Sequence, residues 1–77
     1  MKYYFRIDTA IVSEFTSPTH EKAITKAEKL LTEHTLATCG YRAKLLWVYR
    51  HGQSTIKEWG KTTMGKWVGI DASDKPL

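Results

Sequence analysis

Nucleophilic or metal chemistry in this chain would have to come from Cys39, from His20, His34 and His51, and from eight scattered carboxylates. A thiolate nucleophile needs a lowered pKa. Cys39 instead precedes Gly40 at an expected helix end, where the negative dipole end raises a thiol, so it is expected as a small core residue. The three histidines fall in three different expected elements with no metal-ligand spacing between them, and His34, on an apolar helix face, is expected as a packed or boundary residue. No HExxH, CxxC, P-loop or GxSxG pattern is present. The residues point away from an enzyme and imply no cofactor and no metal.

Binding chemistry is better represented. In the stretch GYRAKLLWVYRHG, alternate positions read Tyr41, Ala43, Leu45, Trp47, Tyr49 and Arg42, Lys44, Leu46, Val48, Arg50. The first set is uncharged and the second carries three cations, so a strand here packs its first set on a core and turns a half-apolar cationic row to solvent. The charge distribution agrees. Residues 1–40 balance five cations against five carboxylates, whereas residues 41–77 hold seven cations against Glu58, Asp71 and Asp74, so the net charge of +4 lies in the C-terminal half. Such one-sided charge suits a polyanionic or acidic partner.

The elements that position this row follow from periodicity. Residues 2–12, rich in aromatic and β-branched side chains, predict a first strand with Tyr3, Phe5 and Ile7 on one face and Tyr4, Arg6 and Asp8 on the other. Ser17 is the expected N-cap and Pro18 the first helical residue. Ala23, Ile24, Ala27, Leu30, Leu31 and His34 recur as one helical face, opposite a solvated face of Lys22, Lys26, Lys29 and Glu33. The helix should run to about Thr38 and stop at Gly40. Three more strand-like runs come after it, separated by the turns HGQS and TTMG. The result is a single two-layer α+β domain over residues 1–77, in chain order β-α-β-β-β. One helix packs on a 4–5-stranded antiparallel sheet, the fifth strand arising if residues 2–15 split, and residues 72–77 form a frayed tail. Placing Val68 and Ile70 inward sends Trp67 outward with Lys57 and Lys61, while Trp59 fits either face. The expected binding surface is therefore Arg42, Lys44, Arg50, Lys57, Lys61, Trp67 and Trp59. Cations for phosphates beside aromatics for bases would suit nucleic acid, and the same mixture suits a protein interface.

Apolar content of 42% and charged content of 26% are globular values. No apolar run reaches the ~20 residues of a membrane span. Arg6 and Asp8 interrupt the apolar region a signal peptide would need, and a single cysteine excludes an internal disulfide; the expected compartment is the cytoplasm.

From THEKAITKAEKLL through CGYRAKLLWVYRHG to GKWVGID, the chain resembles the small β-α-β-β-β type I anti-CRISPR proteins encoded by phages. The matching positions are Lys2, Ala23, Ala27, Cys39, Gly40, Gly65, Lys66, Trp67 and Val68. The connection RHGQSTIKEWGKTTMG is longer here, so no contact residue is carried across beyond the basic strand surface. The resemblance implies a non-enzymatic inhibitor, acting in the host cell, that occludes a ribonucleoprotein surveillance complex. Direct non-specific DNA or RNA binding, and homodimerisation through the first or last strand, are the alternatives.

Overall fold

In the computed structural model, which describes residues 1–33 and 38–70, the elements are β1 (Lys2–Ile7), β2 (Ala10–Thr16), α1 (His20–Glu33), β3 (Arg42–Tyr49), β4 (Gly52–Lys61) and β5 (Trp67–Ile70). The strands make one antiparallel sheet in the order β2-β1-β3-β4-β5. The first expected strand is thus a hairpin, which supplies the fifth strand. Its turn places Asp8 at φ 54°, a left-handed conformation that Asp tolerates better than most residues because its short side chain bonds locally.

Alternation on β1 and over the middle of β3 holds, but Tyr41 and Tyr49, expected on the core face, are exposed. Tyr3, Phe5 and Ile7 pair with Trp47, Leu45 and Ala43. All but the half-buried Trp47 join Ala23, Ala27, Leu31 and Trp59 in one buried cluster, against which Ile24 and Leu30 are partly buried. Ala23 and Ala27 of α1 are completely buried in this cluster, and Tyr3, Phe5 and Leu45 are its largest fully buried side chains. His34 and the expected helix run through residues 34–37 lie outside the described residues, as does the tail.

Three local expectations change. Thr19, not Ser17, caps α1: its hydroxyl accepts the Lys22 N–H at 3.1 Å, so Pro18 precedes the cap. Ser17 is held instead by paired backbone bonds with Met1. Cys39 is exposed rather than a core residue. Leu46, on the face away from α1, is nevertheless buried, between Tyr4 and Thr55 on the adjoining strands. Thr19→Ala should lower stability by about 1 kcal/mol, the usual cost of an N-cap. Ser17→Ala should cost less, because its hydroxyl serves one carbonyl, that of Thr19. Parallel urea melts monitored by circular dichroism compare the two.

Two bulges set the remaining geometry. β2 carries one extra residue, Val12, between Ile11 opposite Arg6 and Ser13 opposite Phe5. β4 carries another, Ile56, between Thr55 opposite Leu46 and Lys57 opposite Leu45. Each extra residue reverses the facing of every later side chain on its strand.

Candidate functional site: the outer face of the sheet

The β4 bulge decides which side chains lie on the face away from α1. Beyond Ile56, Lys57 lies opposite Leu45 and Trp59 opposite Ala43, both on the α1 side. The β4–β5 register then puts Trp67 opposite Lys61 on that same side, and Val68 and Ile70 on the outer face. Four expected site residues are therefore displaced from the outer face. Trp59 is core, 2% exposed and edge-on to Phe5 at 5.9 Å. Lys57 reaches back to Glu28 of α1, 3.9 Å away. Lys61 donates to the Thr38 carbonyl at 2.6 Å and stands 5.0 Å over the half-buried Trp67. Val68 and Ile70, expected inside, are outside; Gly60, having no side chain, leaves the room that Ile70 occupies beside it.

Arg42 and Lys44 stay on the outer face, and Arg50 lies exposed in the β3–β4 turn. β1 adds Lys2, Tyr4 and Arg6. The surface is a centre of Tyr4, Leu46 and Val48 with a cationic corner, where Arg6 lies directly opposite Lys44 and Arg42 stands two residues away on β3. Like charges in directly opposed positions destabilise a sheet by roughly 0.2–1 kcal/mol. Glu58 relieves part of this through a 3.4 Å contact with Lys44. Across the face, Lys2 pairs with Glu14 at 3.1 Å, and the hydrogen bond and charge of that carboxylate raise the Lys2 pKa above its ordinary value.

Asp8 braces the corner. Its Oδ1 accepts the backbone N–H groups of Tyr41 and Arg42, each at 3.1 Å, and its own N–H donates to the Arg42 carbonyl at 2.7 Å. The carboxylate is thereby directed at the backbone where β3 begins. Sequence reasoning put Tyr4, Arg6 and Asp8 on one strand face but left them out of the site, because nothing local says that β1 lies beside β3. Among the described residues no group of His, Cys, Asp and Glu is placed to hold a metal ion, and no helix is long and apolar enough to cross a membrane.

Comparison with protein-family models, curated proteins and solved structures finds no match to this chain.

Proposed function

We propose that this chain is a small non-enzymatic binding module that works by occlusion, laying the outer face of its sheet on a host nucleoprotein complex in the cytoplasm. The observation that carries this reading is the cationic corner. Arg6, Lys44 and Arg42 are gathered at a like-charge cross-strand pair that costs the fold stability, and an anionic partner would turn that cost into affinity. The half-buried Tyr4 and Val48, standing beside the buried Leu46, give the face an apolar centre like the interior of a protein interface, with charges at its rim. The sequence resemblance to phage-borne anti-CRISPR inhibitors supports the same kind of partner and mode of action.

The displaced tryptophans bear on the alternative. With Trp59 and Trp67 on the α1 side, Tyr4 is the aromatic that shares the outer face with the cations, so base stacking on that face has little to act through and direct nucleic-acid binding would rest on phosphate contacts. The test is affinity capture from a host lysate with the parent chain and with Arg6→Ala, Arg42→Ala and Lys44→Ala combined. The triple variant should lose the captured nucleoprotein at least about tenfold, while its melting temperature should not fall, because the like-charge pair is gone. Capture at full strength by the triple variant means the outer face is the wrong surface. Binding to bare duplex DNA that falls steeply with salt would favour the phosphate-contact alternative.

A further inference from the structure

The two edges of the sheet are built differently. On β2 the edge is interrupted by the Val12 bulge and carries Glu14, ion-paired to Lys2, both devices that discourage strand pairing. On β5 the edge is Trp67-Val68-Gly69-Ile70, uncharged and without bulge or proline. Among the described residues no strand pairs with β5 on the side away from β4.

The ladder shows which groups that edge presents. Thr62 N–H donates to the Lys66 carbonyl at 2.8 Å, and Lys61 N–H donates away from β5, to the Tyr41 carbonyl at 3.0 Å. By antiparallel alternation, Gly60 with Val68 and Glu58 with Ile70 then exchange bonds between β4 and β5, and the N–H and C=O of Gly69 point out along the outer edge. An added strand would find its donor and acceptor there. Its side chains opposite Trp67 and Gly69 would lie on the α1 side, and those opposite Val68 and Ile70 on the outer face.

The two sides ask for different chemistry. On the α1 side two lysines converge on β5. The Lys57 side chain passes within 3.2 Å of where a side chain at Gly69 would begin, and Lys61 lies over Trp67. Glu28, at 3.9 Å from Lys57, is the one carboxylate the ion pairs place against them among the described residues. On the outer face stand Val68, 42% exposed, and Ile70. We propose that the outer edge of β5, centred on Gly69, is a strand-addition site for an extended segment of a partner protein in which acidic residues alternate with β-branched ones. The acidic positions would meet Lys57 and Lys61, and the apolar ones Val68 and Ile70. Charge decides against a second copy as the occupant: pairing β5 with β5 sets Lys57 and Lys61 of each copy beside those of the other. This surface is distinct from the cationic corner, so the two readings stand or fall separately.

The probe is a short labelled peptide in which glutamate alternates with valine, with binding read by fluorescence anisotropy and amide hydrogen exchange. The peptide should bind the parent chain and the Arg6/Arg42/Lys44 alanine triple variant equally, and should slow exchange at the Gly69 amide. Two control peptides leave the protein untouched: one N-methylated along its pairing edge, and one with lysine for each glutamate. Each should bind at least tenfold more weakly. Absence of binding overturns the proposal, as does protection that falls elsewhere or N-methylated and parent peptides that bind alike. Protection of the Gly69 amide that rises with protein concentration in the absence of peptide would make the occupant a second copy, and would equally overturn it.

Discussion

Trp59→Ala should cost about 3–5 kcal/mol of folding stability, the range for deleting a large buried aromatic. A chain of 77 residues has on the order of 4–12 kcal/mol in total, so the variant should be close to unfolding at 37 °C. The indole is 2% exposed, meets Phe5 edge-on at 5.9 Å and belongs to the same cluster as Ala27, Leu31 and Ala43. Alanine would leave a void bounded by the helix and three strands, and a well-packed core collapses into such a void only in part. The half-buried Trp67 sits on the terminal strand beside Lys61, and Trp67→Ala should cost less than half as much. Urea denaturation of both variants, monitored by far-ultraviolet circular dichroism, makes the comparison. The result also reports on register. Without the extra residue at Ile56, Trp59 would lie on the outer face and its loss would cost under about 1 kcal/mol.

The second large effect is expected at Asp8. Asp8→Ala removes the acceptor for the Tyr41 and Arg42 amides and puts a β-carbon without local hydrogen-bonding ability at φ 54°. Two lost bonds at roughly 0.5–1.5 kcal/mol each, with about 1 kcal/mol of backbone strain, give a loss of about 2–4 kcal/mol. Asp8→Asn keeps both an amide oxygen and tolerance of the left-handed conformation, and should stay within about 1 kcal/mol of the parent. Asp8→Gly relieves the strain but not the lost bonds, and should fall between them. Amide exchange at Tyr41 and Arg42 should quicken in the alanine and glycine variants and hold in the asparagine one. Because these amides open β3, Asp8→Ala should also loosen Arg42 in the cationic corner and weaken partner capture beyond what its stability predicts. Three variants of equal stability would show that the carboxylate braces nothing.

How far the sequence carries depends on the distance between the groups involved. The facing of β1, β3 and α1 was legible from Tyr3-Phe5-Ile7, from Ala43-Leu45 and from Ala23-Ala27-Leu31, because period-2 and period-3.6 patterns arise between near neighbours in the chain. The cations Arg42 and Lys44 were legible for the same reason. Arg6 and Lys2 were visible as polar positions of β1, but their place in the site depends on pairing with residues about forty positions away, Lys44 and Val48. The helix cap was misplaced by two residues because Ser17 and Thr19 are both good capping types, and the Met1–Ser17 backbone pair removed Ser17 from contention.

By itself, then, the sequence determined a one-helix, antiparallel α+β domain with its excess positive charge in the C-terminal half and a strand, β3, that is apolar toward the helix and basic away from it. Only the tertiary structure decided what stands beside that strand. In TIKEWGK, Ile56 and Trp59 compete for the core, and strict alternation from the β3–β4 turn would bury Ile56 and expose Lys57, Trp59 and Lys61 as a basic, aromatic row. The fold inserts a bulge at Ile56, so the larger indole enters the core beside Phe5 while Ile56 still packs in part against it. Glu58 is thereby brought to Lys44, and the lysines on either side of Trp59 turn toward α1. The sheet period is two, so one extra residue reverses every side chain after it through Trp67, Val68 and Ile70. The choice rests on how much area Trp59 buries against a helix and strands distant in the chain, a quantity that no local pattern contains.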